Sequence, residues 1–114
     1  MDVRVANPPA TGTWQAVRFL VDSGAVYSLV PSDVLGSLGI VPHSVRRFLL
    51  ANGESLDLEV GTAAFEYEGK RGDGLVVFGA PGATPLLGAT TLEGFGYVLD
   101  PYHRRLLPLP MMLA

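Results

Sequence analysis

The stretch FLVDSGAVYSLVP, residues 19–31, places an acid between two apolar segments. Three apolar residues lead directly into Asp22, and the chain becomes apolar again at Leu29 and Val30. A carboxylate in such surroundings must be hydrogen-bonded, paired or protonated, because burying a lone charge is costly. Asp22 is therefore the first candidate for a functional residue. Asp-Ser-Gly is also a common turn in which the aspartate bonds its own backbone, and that interpretation stays open here.

Length and composition predict one folded domain spanning residues 1–114, since 48% of the residues are hydrophobic. Net charge is −3 and the eight Lys and Arg are scattered, which argues against a nucleic-acid partner. No apolar run approaches the length of a membrane span, and the N-terminus lacks the pattern of a signal peptide. The chain has no cysteine. A cytoplasmic protein without disulfides or a membrane partner is the expectation.

Fourteen glycines and nine prolines divide the chain into short apolar stretches that are typical of strands. The pattern predicts a mostly-β domain of about seven to nine strands. Asn52-Gly53 predicts a hairpin turn between two of them. The strands are expected at residues 2–6, 14–21, 48–51, 54–60, 63–67, 75–78, 97–99 and 105–107.

Two short helices are expected between these strands. Ser32-Asp33 is predicted to cap one that Gly39 ends, and Thr90–Glu93 is predicted to form another before Gly94. The glycine-rich segments 72–74 and 79–82 are interpreted as loops.

The sequence contains one weak internal echo. Leu20-Val21 leads into a tight glycine turn followed by a potential helix, and Leu86-Leu87 does the same. If both pairs are buried strands, the loop after the first can be held by the second.

Other catalytic chemistries lack the residues that they need. His43 and His103 lie beside Pro or Arg in loop-like sequence and are predicted to be solvated. No Gly-x-Ser-x-Gly marks a serine nucleophile, and no Lys-Ser/Thr follows a glycine-rich segment to bind phosphate. The sequence therefore predicts neither a metal site nor a cofactor.

A single carboxylate cannot hydrolyse an amide by acid–base chemistry. One group must take a proton from water while another gives one to the substrate. Two carboxyls that share a proton can do both. A two-fold symmetric homodimer supplies the second carboxyl, because it places Asp22 beside its own copy on the axis. An acid–base role for Asp22 therefore requires a dimer.

Three segments together resemble the retropepsin-like aspartic proteases, the retroviral and retrotransposon enzymes and their small cellular or bacterial relatives. Residues 19–25, FLVDSGA, are similar to the segment that carries the catalytic aspartate. Residues 51–54, ANGE, are similar to the turn of the flap, and Leu86-Leu87-Gly88 is similar to the second signature before a short helix. The resemblance implies a closed β-barrel of the acid-protease fold with one short C-terminal helix, assembled as a symmetric homodimer.

By this resemblance the chain is an aspartic endopeptidase, and Asp22 shares a water and a proton with the Asp22 of a second chain. Ser23, Gly24 and Ala25 complete the active-site loop; Ser23 braces the two loops, and the amide of Gly24 steadies the carboxylate. A peptide or protein substrate binds extended beneath the flap, and no metal takes part. The other implied residues are the flap residues Ala51, Asn52, Gly53 and Glu54, the apolar substrate-binding residues Leu20, Val26 and Leu86, and the second-signature residues Leu87 and Gly88.

The sequence also departs from the retroviral pattern. Val26 and Ala89 stand where retroviral members carry an Asp and an Arg that pair near the dimer interface. Both charges are absent together, which leaves neither buried without a partner. Residues 106–114 are apolar to the end. They could build the dimer sheet, pack on their own subunit or dock another protein.

Two other interpretations stay open. The same fold can serve as a non-catalytic peptide-binding or scaffolding dimer. An unrelated β-domain with a chance Asp-Ser-Gly turn is the third possibility. The intact Asp22-Ser23-Gly24 favours the enzyme, because a binding module has no need of a costly paired carboxylate.

Overall fold

The computed structural model describes residues 1–22 and 24–109, and within them the chain is mostly β, as predicted. These residues form ten strands and two helices. The strands are β1 (Asp2–Ala6), β2 (Trp14–Arg18), β3 (Leu20–Val21), β4 (Ser28–Pro31), β5 (Ser44–Leu49), β6 (Ser55–Tyr67), β7 (Lys70–Gly79), β8 (Leu86–Leu87), β9 (Tyr97–Asp100) and β10 (Arg105–Pro108). The helices are α1 (Ser32–Ser37) and α2 (Ala89–Gly94).

Eight of these strands form one sheet in the order β2-β1-β6-β7-β4-β8-β3, with β5 paired to β6 at the side. Strands β9 and β10 form a separate two-stranded sheet. Strand β8 therefore lies between β3 and β4, although β3 and β4 are neighbours in sequence. The two short strands that the sequence echo singled out, β3 and β8, pair in parallel.

The core follows from the alternation of side chains along the strands. In β1, Val3 and Val5 are fully buried while the residues between and before them are exposed. Phe65 of β6 packs edge to face against Phe19, with ring centroids 6.5 Å apart. Further buried members of this cluster are Val17, Val30, Leu35, Ile40, Ala63, Val76, Leu87, Leu92 and Phe95.

The predicted strand 14–21 is broken at Phe19. Phe19 is buried and pairs with Met1, since its N–H donates to the Met1 carbonyl and its carbonyl accepts from the N-terminal ammonium, both at 2.9 Å. The next residue, Leu20, already pairs with β8. Residues 14–21 thus supply β2 and β3, the strands at the two ends of the sheet order. Closure into the predicted barrel stays a prediction.

The predicted strands 54–60 and 63–67 are one continuous strand, β6, which pairs with β5 along its first part and with β7 along its second. The loop interpretation of Gly72–Gly74 is wrong, because these residues lie within β7, opposite residues 63–65. A Cβ on Gly72 would lie 3.2 Å from the backbone of Gly94, so close approach of α2 explains this glycine.

The two helices are near their predicted positions, but one predicted cap is wrong. Helix α1 begins at Ser32 itself, its N-cap is Pro31, and no side chain caps it. Gly39, with φ +75°, follows the helix end as expected. Helix α2 is the single C-terminal helix that the resemblance implied, and α1 is additional. Neither described helix is long and apolar enough to cross a membrane.

Candidate active site

Asp22 follows β3 directly and its backbone is fixed on both sides. Its N–H donates to the carbonyl of Leu87 at 3.2 Å, and its carbonyl accepts from Ala25 N–H at 3.1 Å. The amide of Gly24 donates to Asp22 Oδ1 at 2.9 Å. This last bond agrees with the predicted role of Gly24, but it is also the bond of a simple aspartate turn. The contacts that this loop makes with the rest of the chain must therefore distinguish an active-site loop from a simple aspartate turn. Ser23 lies outside the described residues.

The start of α2 holds this loop, although the burial of β3, on which the expectation from the internal echo depended, is not found. The first two amides of α2, Ala89 N and Thr90 N, donate to the carbonyls of Ala25 and Val26 at 2.9 and 3.0 Å. These bonds satisfy helix-terminal donors that have no partner within the helix. The chain thereby ties the loop after β3 to the start of α2.

Gly88 is the point of closest approach between these two segments. A Cβ at this position would lie 2.4 Å from the carbonyl carbon of Tyr27 and 2.7 Å from the carbonyl oxygen of Val26. No residue with a side chain fits there without moving the loop. The glycine of the second signature is therefore required by the crossing of the loop over the end of β8.

The predicted substrate-binding residues are not equally accessible. Leu20 and Val26 are 59% and 58% exposed. Leu86 is half-buried and pairs with Leu20 in the parallel register, so both lie on the same face of the sheet. The expectation that β3 is a buried strand is wrong, whereas Leu87 in β8 is fully buried. Two exposed apolar side chains flank Asp22.

The predicted flap residues form the tip of the β5–β6 hairpin, but not as a two-residue Asn-Gly turn. The strands end at Leu49 and begin again at Ser55. Leu50 N–H donates to the Glu54 carbonyl at 2.7 Å, and Gly53 N–H donates to the Leu50 carbonyl at 3.0 Å. The tip is thus a three-residue loop that includes Ala51, with Gly53 at φ +87°. Asn52 Oδ1 accepts from Glu54 N–H.

A ring contact that the sequence analysis missed joins this hairpin to the Asp22 loop. The rings of Tyr27 and Phe48 pack edge to face with centroids 6.4 Å apart. The hairpin face that carries Phe48 is therefore turned toward the loop. Val45, Arg47 and Leu49 lie on its opposite face. No local sequence signal marks this contact, because its two rings are far apart in the chain.

A cavity of about 620 Å³ lies between Asp22 and the β9–β10 hairpin. Leu20, Asp22 and Met1 line it on one side, and Leu99 and Arg104 line it on the other.

The connection between β9 and β10 is organised by Asp100, which accepts hydrogen bonds from the amides of Tyr102 and His103 and from the His103 ring. The ring bond, with help from these amides, lowers the pKa of the Asp100 carboxyl. His43 and His103 are both exposed, as predicted. No group of three or more His, Asp or Glu side chains that could hold a metal occurs within residues 1–22 and 24–109.

The comparisons with known proteins bear on the fold. No protein-family model and no curated protein matches the sequence. Among solved structures, the solution structure of the simian foamy virus (mac) protease matches with a TM-score of 0.54 and 17% identity, over 82% of this chain and 92% of that one. The described chain therefore shares a retropepsin-like fold with that protein.

Proposed function

We propose that this protein is a homodimeric aspartic endopeptidase, in which the Asp22 carboxyls of two chains activate a water against a peptide bond. The observation that supports it best is the setting of Asp22. Its backbone is fixed by the end of β8, and exposed apolar residues, Leu20 and Val26, precede and follow it in the chain. The likeness in fold to a viral protease supports the same conclusion.

In the proposed mechanism the two carboxyls share one proton, because like charges at short distance do not both ionise. The ionised Asp22 takes a proton from water as the oxygen attacks the scissile carbonyl carbon. The protonated Asp22 gives its proton to the carbonyl oxygen, which yields a gem-diol without a covalent intermediate. As the gem-diol collapses and its C–N bond breaks, one of its hydroxyls gives a proton to the now ionised Asp22. The other Asp22 passes the proton taken from water to the leaving amine, so the pair again holds one proton.

The second chain is proposed to dock on the side of Asp22 that faces the β9–β10 hairpin. The cavity of about 620 Å³ there is lined by Asp22 itself. Strands β9 and β10 pair with no other strand within residues 1–22 and 24–109, so in that part of the chain the edges of their sheet are unpaired. A second copy placed over this cavity on a two-fold axis would bring its Asp22 close to the first. Residues 110–114, part of the apolar tail, lie outside the described residues.

The proposed substrate is an extended peptide with apolar side chains near the cleaved bond. Leu20, Leu86 and Val26 are the proposed subsite residues, and Ala51–Glu54 is the proposed flap. An extended segment can add a strand between the hairpin and the loop, so that backbone hydrogen bonds supply affinity and apolar pockets supply specificity. Hairpin closure would exclude water from the reaction.

The decisive experiment compares wild type with Asp22→Asn on a peptide library, with dimerisation followed by sedimentation. We expect wild type to cleave and the variant to lose about 10²–10⁴-fold in kcat while it still dimerises. Asp33→Asn, which removes an exposed acid in α1, is the matched control and should cleave normally. Equal cleavage by wild type and Asp22→Asn would refute the proposal that the protein is an aspartic endopeptidase acting through Asp22. Binding of peptides without any cleavage would favour the non-catalytic peptide-binding dimer.

Dilution tests the shared site directly. Each chain holds half of the proposed site, so activity per chain should fall once the protein is diluted below its dimer dissociation constant. Activity per chain that stays constant well below that constant would contradict a site built from two chains.

A further inference from the structure

Ser28 is a polar residue in the interior of the site. It is the first residue of β4 and is 0% exposed. Its Oγ accepts the amide of Gly88 at 2.9 Å and lies 2.6 Å from Oγ1 of Thr91, which is also buried. The pair thus joins β4, the end of β8 and α2 at one point.

The hydrogen bond from Gly88 to Ser28 is connected to Asp22 by one rigid peptide group. The carbonyl of Leu87 and the amide of Gly88 belong to the same planar peptide group. The amide is held by Ser28 Oγ, and the carbonyl accepts the Asp22 amide at 3.2 Å. Rotation of this peptide plane would move the partner of the Asp22 backbone. The orientation of the plane therefore depends on a hydroxyl that never contacts Asp22.

We propose that Ser28, supported by Thr91, is a positioning residue that orients Asp22 through the Leu87–Gly88 peptide; its effect on catalysis rests on the proposed function. Two carboxyls that share a proton must stay within hydrogen-bond distance of each other. A small rotation of the loop would be doubled in the dimer, because the two-fold axis applies it to both chains. A merely structural hydroxyl would instead contribute only to stability.

The chain offers matched variants for the test. Ser28→Ala leaves the Gly88 amide without its acceptor, whereas Ser28→Thr retains a hydroxyl. Thr91→Val removes the second hydroxyl with little change of shape, and Thr91→Ser keeps it. Val5→Ala is the stability control, because Val5 is a fully buried core residue of β1 outside the site.

The first measurement is hydrogen exchange of the Asp22 amide in the full chain, which requires no activity. Loss of one buried hydrogen bond is expected to speed this exchange about tenfold in Ser28→Ala relative to Val5→Ala at equal global stability. Ser28→Thr should restore slow exchange. Exchange at Asp22 that is no faster in Ser28→Ala than in the stability-matched control overturns the positioning role. If Ser28→Ala does not fold, Thr91→Val against Thr91→Ser decides by the same criterion.

The second measurement is cleavage at a temperature where all variants are folded. We expect kcat of Ser28→Ala to fall about tenfold, the effect of one hydrogen bond, with KM nearly unchanged. The pH–rate profile should also shift, because it reports on two coupled carboxyls whose interaction depends on the distance between them. If kcat and the pH–rate profile of Ser28→Ala are unchanged, the proposed effect of Ser28 on catalysis is overturned. A wild type that cleaves nothing refutes the proposed function, while amide exchange still decides whether Ser28 orients Asp22.

Discussion

The floor of the candidate site consists of β3, residues 24–27, β8 and the start of α2, and segments 60 to 65 residues apart in sequence hold it together. The cover hairpin, β5 with residues 55–60 of β6, is held mainly by the pairing of its own two strands. Every residue of β5 is exposed or half-buried, and Leu49 is 78% exposed. Local opening costs least where few apolar contacts are buried. We therefore expect the hairpin to open more readily than the floor that holds Asp22.

Gly88→Ala should have the largest effect, because it breaks the floor. The added Cβ would overlap the backbone of Tyr27, which cannot yield as a flexible side chain can. We expect a loss of about 4 kcal/mol or more in the free energy of unfolding, or failure to fold. Chemical denaturation provides the measurement. Gly36→Ala, in the open on α1, is the control and should be neutral or slightly stabilising. A folded Gly88→Ala of normal stability would refute this picture of the crossing.

Phe48→Ala tests the link between floor and cover. The substitution removes the ring contact with Tyr27, and aromatic pairs of this type contribute about 0.5–1.5 kcal/mol. Amide exchange in β5 should therefore become up to about tenfold faster. Thermal unfolding of the rest of the chain should change little. Val45→Ala, on the opposite face of the same strand, should leave exchange nearly unchanged. Equal effects of the two substitutions would show that the ring contact does not hold the cover.

Gly53→Ala tests the tip of the cover alone. Gly53 has φ +87°, a conformation that costs a residue with a side chain about 1 kcal/mol. We expect faster exchange of the amides of residues 50 and 53 and unchanged exchange at Asp22. Gly12→Ala, which replaces a glycine in open space without a positive φ, is the control. Exchange that also rises at Asp22 would mean that floor and cover are coupled.

The smallest effect is expected from the Arg47–Asp57 pair on the outer face of the cover, where Nε and Oδ1 are 3.0 Å apart. The hydrogen bond from Arg47 lowers the pKa of Asp57 in the folded chain. The pair therefore stabilises the hairpin above the ordinary aspartate pKa and is lost as pH falls through the lower folded value. A carboxyl NMR titration should show this low midpoint, and Arg47→Gln should raise it. Arg46→Gln on the other face should not move it.

Much of the floor could be predicted from sequence because its signals are local. The apolar pair before Asp22 and the apolar pair before Gly88 each mark a strand end followed by a turn, and the structure does bring the two together. The buried hydroxyls of Ser28 and Thr91 could not be predicted. Their partners are set by how β8 inserts between strands, and serine or threonine alone gives no sign of burial.

The cover hairpin shows where local sequence signals are insufficient. Asn52-Gly53 correctly predicted a hairpin, but not the three-residue loop that closes it. A two-residue turn with positive φ at both positions occurs instead at Glu68-Gly69, between β6 and β7, which the sequence analysis did not identify. The sequence predicts a loop at Gly72–Gly74 because the close approach of Gly72 to α2 is invisible along the chain. Glycine marks a special backbone position, but the reason for it is often a distant segment.

The insertion of β8 between β3 and β4 has a consequence for protein synthesis. Asp22 leaves the ribosome 65 residues before Leu87, the residue whose carbonyl holds its amide. Until then β3 lacks its partner strand β8, and a premature pairing of β3 with β4 would have to be undone. Contacts between such distant segments form late and slowly. The candidate catalytic centre is therefore expected to assemble among the last parts of the domain, so that a nascent chain carries Asp22 without the means to use it.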